Sequence, residues 1–317
     1  MTAAHLADPA WSIFTEDWDP AYGAPATFDL DAPDGVEPAE PDTGPVAGRP
    51  AHVPIAFVDG RRRAELSLWL EHAPTGVRIP GLAGAYAVGA VTIRPGRQAA
   101  FSGIRVGRVV VWGAGANAGD IRHGGYTWAA ESVASGDPEA LLARLQDRMR
   151  AAEGELALDS AARGWTTVLD GPLNRIRAMH ELAIGYVKTH RRQILPDDDH
   201  RLVPRLAVGQ RTRLYTAGSD RYTCYVRVGS PGPGGSPWSG IARLDFPAVA
   251  GLDAVAERAD LLAGTLPAYA GAPHRDPRAP VNLTPVRNLE ANLARQLGRV
   301  ELATRAARTA VISGATR

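Results

Sequence analysis

Cysteine is almost missing from this chain: Cys224 is the one thiol in 317 residues. No disulfide can close within the chain, and a cysteine-rich zinc site is ruled out. The run Tyr222-Thr223-Cys224-Tyr225 reads as a strand with a buried, structural thiol, and a lone thiol fits a cytoplasmic protein. Long apolar runs are missing too, so no membrane span is expected. The start, Met1-Thr2-Ala3-Ala4-His5, lacks the basic-then-apolar order of a signal peptide, and the expectation is a soluble, cytoplasmic chain. An excess of one charge is also missing: 35 Lys and Arg stand against 34 Asp and Glu, a net +1. Any polyanionic ligand would therefore have to meet a locally basic surface. There is no Walker A loop, no Gly-x-Ser-x-Gly elbow and no nicotinamide fingerprint after a strand, which excludes the commonest ATPase, hydrolase and dehydrogenase signatures.

What is present is unevenly distributed. Residues 1–50 are acidic and proline-rich, as in Glu16-Asp17-Trp18-Asp19, and read as an extension. Trp11, Phe14 and Trp18 are its candidate docking residues, and 24–49 reads as a linker. Residues 51–317 form the expected folded domain. Its basic clusters are Arg61-Arg62-Arg63, His190-Arg191-Arg192 and Arg211-Thr212-Arg213.

Periodicity predicts a strand over 53–58, apolar on both faces and ending at Asp59-Gly60. A meander follows over 64–71, 85–94 and 105–112. Asp137 as N-cap and Pro138 at the first helical position open a helix. Leu141, Leu142, Leu145, Met149, Ala152 and Leu156 carry it to about Ala162, and Gly164 stops it. A second short apolar strand ending in Asp-Gly is expected within 165–172, and further strands at 182–187, 213–216, 222–228 and 240–246, the last two joined by the Gly- and Pro-rich 229–237 loop. Helices over 252–266 and about 286–310 close the chain. This order is α/β with a mixed sheet.

Two segments carry the chemistry, Ile55-Ala56-Phe57-Val58-Asp59-Gly60 and Thr167-Val168-Leu169-Asp170-Gly171. In each, a buried-type strand delivers a carboxylate at its carboxyl end, where α/β sheets collect ligands. Gly then permits a sharp turn or a close approach. On neighbouring strands, Asp59 and Asp170 would repel unless they shared a proton or a cation. Such oxygen ligands suit Mg²⁺ or Mn²⁺. Two such ions roughly 3.5–4 Å apart can activate water and stabilise the leaving oxygen of a phosphodiester. Glu153, bordering the apolar stripe of the long helix, is the expected third carboxylate in preference to Glu155. Asp-Gly is also an ordinary turn signal, and that reading stands beside the metal-site one.

These residues resemble the NurA nuclease family. Phe57-Val58-Asp59-Gly60 looks like its first motif. The helix with Arg150 and Glu153, then Val168-Leu169-Asp170-Gly171-Pro172-Leu173, is similar to its central one. Ile184-Gly185-Tyr186-Val187-Lys188 and Pro237-Trp238-Ser239-Gly240-Ile241-Ala242-Arg243-Leu244-Asp245 look like its later strands. The resemblance spans about residue 53 to the end. It implies an RNase H-like core, a homodimer and Mn²⁺-dependent DNA cleavage, as a 5′–3′ exonuclease or single-strand endonuclease. It also implies partnership with a HerA-type hexameric translocase in end resection. Asp59, Glu153 and Asp170 fall on the family's metal-binding positions. The family's late Tyr and His are replaced by Ala279 and Arg287, and Asp276, Asn282 or His274 are the candidates to complete the site.

Arg61, Arg62, Arg150, Lys188, Arg278, Asn282 and Arg287 are the expected DNA contacts, Arg61 ahead of Arg63, because guanidinium pairs with phosphate in bidentate fashion. Tyr126, Trp128 and Trp238 offer stacking faces, with packing the stronger reading for each. Two other functions fit the same residues: a translocase-docking subunit without strong cleavage, and an RNase H-like enzyme acting on RNA or hybrids.

Overall fold

The computed structural model describes residues 35–41, 44–72, 74–116, 118–173, 180–190, 192–272 and 279–315. Its first strands are β1 (Val36–Pro38), β2 (Val46–Ala47), β3 (Ile55–His72), β4 (Val77–Ile93), β5 (Ala100–Trp112), β6 (Ile121–His123) and β7 (Tyr126–Ser132). Helix α1 (Pro138–Ala162), β8 (Thr166–Asp170), β9 (Ala183–Val187) and α2 (Asp197–Leu202) follow. The remaining strands are β10 (Gln210–Arg211), β11 (Tyr215–Ala217), β12 (Arg221–Arg227) and β13 (Ile241–Pro247), and the remaining helices are α3 (Leu252–Thr265), α4 (Thr284–Gln296) and α5 (Val300–Ala315). The chain divides into two compact units: Val53–Ala183 with Pro285–Arg317, and Met1–His52 with Ile184–Thr284.

The Val53–Ala183 unit is α/β, built on a mixed sheet of order β8-β3-β4-β5-β7-β6. The meander β3-β4-β5 is antiparallel, whereas β8 runs parallel to β3 and β7 parallel to β5. Helix α1 covers one face, where Met149, Leu156, Ala157 and Ala161 pack on Val58, Val88, Ala90 and Leu169. On the other face α4 lays Leu289 and Leu293, with Leu297 just past its end, over Ala85, Ala87 and Val91. There α5 adds Ala303, Ala306 and Ala307 against Leu68, Val110, Trp112 and Trp128. Covering on both faces is why Ile55, Ala56, Phe57 and Val58 are all apolar and no more than 1% exposed.

Helix α1 begins as its sequence dictates: Asp137 Oδ1 accepts from the Glu139 amide at 2.9 Å, Pro138 occupies the first turn, and Gly164 follows the helix at φ +81°. Three expectations are corrected. The first strand does not stop at Asp59-Gly60 but runs on to His72, with a bulge between Ala64 and Leu66. Gly60 is an ordinary strand position paired with Val88. The 286–310 helix is two, because Gly298 takes φ +71° between α4 and α5. Finally, the described part of the 24–49 linker is not loose: β1 pairs with β11 and β2 with β10.

The other unit is an antiparallel sheet of order β1-β11-β12-β13-β9, with β10 bridging β12 and β2. Its core joins Ile194, Leu195, Val203, Leu206, Tyr215, Tyr225 and Ile241. Cys224 is buried here, and burial pushes its thiol up to about 12, the behaviour of an unreactive structural residue.

Candidate metal centre

Strands β3 and β8 are in parallel register through Val58 and Leu169, so Asp59 and Asp170 are the next residues on adjacent strands. Val58 and Leu169 both pack towards α1. Alternation along a strand therefore turns Asp59 and Asp170 to the opposite face, the α4 side. Gly89, paired with Asp59, keeps that face low: a Cβ there would press on Ile104, Leu289 and Leu293. Helix α4 contributes Glu290, and one carboxylate oxygen from each of Asp59, Asp170 and Glu290 lies within 4.8 Å of the others. Asp59 is buried and the other two are half-buried. Each pair of charges at such a separation costs roughly 4 kcal/mol at an effective dielectric of 20. A hard divalent cation relieves that repulsion, and an all-oxygen donor set is the one Mg²⁺ and Mn²⁺ take.

Glu153 reaches the same region from the opposite face. Gly60 has no side chain where Glu153 Oε1 and Met149 enter, so the glycine expected to make a turn instead makes room for a carboxylate. Glu153, Arg150, Gly154, Leu169, Asp170, Gly171 and Pro172 line a cavity of about 40 Å³, room for a water or two. Burial pushes the Glu153 carboxyl up to about 8; Arg150 opposes the rise and Asp170 adds to it. Gly171 sits at φ +129°, which favours glycine and turns the chain away just past Asp170. Glu155 lies outside this cluster, 3.9 Å from Arg105 on an exposed surface.

The sequence points to Glu153 as the third carboxylate and to 274–282 for a fourth ligand. The carboxylate that joins the aspartates within 4.8 Å is instead Glu290, which the sequence motifs do not single out. A signal existed. Glu290 is four residues after Val286 and three before Leu293, both buried, so it borders the apolar stripe of α4 just as Glu153 borders that of α1. Asp276, His274 and Arg278 lie outside the described residues.

The basic residues separate. Arg61 is exposed and, two positions after Asp59 on β3, shares its face. Arg62 points to the α1 side, where its Nε donates to Gln146 Oε1, and burial and then Arg150 lower its proton affinity. Arg287 is half-buried on α4, three residues before Glu290. Lys188 and Asn282 belong to the other unit, where Lys188 Nζ donates to Asn282 Oδ1 at 2.8 Å and Asn282 is buried. Trp128 is fully buried and stacks on Tyr126 at 5.6 Å, so it is a packing residue. Trp238 packs among His190, His200 and Tyr225.

No family model matches the chain, and no curated protein matches it. Among the described residues no helix is long and apolar enough to cross a membrane.

Proposed function

We propose that this chain is a metal-dependent deoxyribonuclease of the NurA type, with an RNase H-like core in the Val53–Ala183 unit. The observation that carries the reading is the convergence of Asp59, Asp170 and Glu290 from two parallel strands and a covering helix. The order and spacing of the two Asp-Gly motifs support the family assignment, and the mixed sheet flanked by helices is compatible with the core.

In this reading Asp59, Asp170 and Glu290 hold Mg²⁺ or Mn²⁺. The cation supplies positive charge to the scissile phosphate and makes water a better nucleophile. The chain's own groups do the rest. Arg61, on the face of Asp59, and Arg287, one turn before Glu290, bind phosphates flanking the scissile one. Burial raises the Glu153 carboxyl, which lines the cavity beside Asp170 on the α1 side and packs behind that carboxylate. Arg150 lines the same cavity and its charge opposes the rise in Glu153. A HerA-type translocase and a second copy of the chain are the partners this reading brings, with DNA end resection as the setting.

The test is cleavage of labelled single- and double-stranded DNA, RNA and hybrid at one stated salt concentration, with Mn²⁺, Mg²⁺ or EDTA. DNA cleavage that needs metal and is lost in a folded Asp170→Asn variant is the expected result. A preference for RNA or hybrid would move the substrate class. Cleavage unchanged in Asp170→Asn would remove the site.

A further inference from the structure

Glu65 is a carboxylate with a side-chain exposure of 0%, outside the metal centre. It lies six positions beyond Asp59 on β3, and three side chains converge on it. Arg63 Nη2 donates to its Oε1 at 2.7 Å, Trp128 Nε1 to its Oε2 at 2.8 Å, and Arg108 Nε stands 3.5 Å from Oε2. Both guanidinium groups then reach the carboxyl end of α4. Arg63 Nη1 donates to Gly298 O at 2.7 Å and its Nη2 to Leu297 O at 3.1 Å. Arg108 Nη2 donates to Leu297 O, also at 3.1 Å. Helix carboxyl ends carry partial negative charge and carbonyls without helical partners, and two cations satisfy both. Glu65 in turn offsets the repulsion between the two cations, and its own carbonyl accepts from Thr304 Oγ1 of α5 at 2.8 Å.

The dimensions connect this cluster to the metal centre. Asp59 to Arg63 is four strand residues, about 13 Å. Glu290 to Gly298 is eight residues at helical rise, about 12 Å. Strand and helix therefore run side by side in one direction, with Asp59 level with Glu290 at one end and Arg63 bonded to Gly298 at the other. Between these ends the contact is apolar: Leu289 and Leu293 rest on Ala85, Ala87, Val91 and the bare backbone of Gly89, with Ile104 alongside, and none of these groups offers the directional bonds that the two arginines make.

We infer that Arg63, Arg108 and Glu65 are positioning residues: they pin the axial register of α4 on the sheet and so set Glu290 over Asp59 and Asp170. This rests on the reading of those three carboxylates as a metal site. The pin acts from the far end of the helix, touches no metal ligand, and makes the affinity of the centre depend on residues about two helical turns away.

The experiment takes the full chain and two readouts: Mn²⁺ affinity, from the electron paramagnetic resonance signal of unbound Mn²⁺, and hydrogen exchange of the metal-free protein, comparing α4 with α1 amides. The variants are Arg63→Gln with Arg108→Gln, Arg63→Lys, and Val110→Ala as a control that loosens the core without touching α4. The double variant is expected to weaken Mn²⁺ binding at least tenfold and to speed α4 exchange at least tenfold relative to α1. Arg63→Lys, which keeps both positive charges at the helix end but loses the forked geometry of Arg63, falls between the wild type and the double variant in both. Val110→Ala lowers the melting temperature and changes neither. Should the double variant fail to fold, Arg63→Gln alone is read the same way. Mn²⁺ affinity equal to that of Val110→Ala would overturn the inference, whether or not α4 exchange rises. If the wild type takes up no Mn²⁺, the metal reading falls, and α4 exchange alone decides the pin: faster exchange supports it and unchanged exchange overturns it.

Discussion

Gly60 and Glu153 share one space: a Cβ at position 60 would collide with the Glu153 carboxylate that enters from α1. A glycine inside a long strand is a cost unless another group uses the vacancy. Here the user is a carboxyl group that lies beside Asp170. Gly60→Ala is therefore expected to destabilise the protein by about 1–3 kcal/mol through overpacking. It also pushes Glu153 out of the cavity, so cleavage falls by more than the loss of folded protein explains. Melting curves and cleavage rates on the same preparation check this.

The raised carboxyl of Glu153 gives a pH signature. Its value near 8 lies above the ordinary 4.5, so the folded state holds a proton that the unfolded state gives up between those values. Stability from this group is complete below about 4.5 and is lost as pH rises through about 8. In EDTA, the melting temperature of the wild type should therefore fall between pH 5 and 9 more steeply than that of Glu153→Gln. Equal slopes would show that the carboxyl is not shifted.

His190 shows the opposite sign. Burial, followed by Arg243 and His200 against a favourable contact with Ile241 O, lowers it from 6.5 to about 4. The unfolded state takes up a proton between these values that the folded state refuses, so stability is lost as pH falls from about 6.5 to about 4. His190→Gln should flatten that part of the acid unfolding curve, followed by fluorescence of the neighbouring Trp238.

Arg211 is 2% exposed and holds two carboxylates, Glu40 at 2.6 and 3.0 Å and Asp260 at 2.7 Å. Arg211→Met removes the buried cation from both acids, leaving Asp260 the exposed Arg49 at 3.3 Å, and should cost about 3–5 kcal/mol. The double variant Glu40→Gln, Arg211→Met should recover part of the loss in chemical denaturation.

Much of this was legible in the sequence because local signals and packing agree. Asp137, Pro138 and Gly164 bound α1 where the structure bounds it, and the apolar runs before Asp59 and Asp170 are central strands. The misreadings have a common cause: one local signal with two physical uses. Gly60 satisfied a turn pattern but serves a contact with α1, which no local window contains. Gly298 ends α4, yet buried Leu289, Leu293, Leu297, Ala303 and Ala307 continue a helical rhythm across it. Glu290 meets Asp59 and Asp170 only through the packing of α4 on the sheet, which no local stretch of sequence contains. Val36–Pro38 and Val46–Ala47 are too short to show a strand pattern, and their pairing is set by β11 and β10, distant in sequence.

The central claim is that Asp59, Asp170 and Glu290 hold the metal that DNA cleavage requires. Its most direct test is Mn²⁺ titration and DNA cleavage for the wild type and Glu290→Gln, side by side. The account predicts stoichiometric Mn²⁺ binding and metal-dependent cleavage by the wild type. Both should fall at least tenfold in Glu290→Gln while the melting temperature in EDTA holds or rises, since one repelling charge is gone. Binding and cleavage unchanged in Glu290→Gln would contradict it.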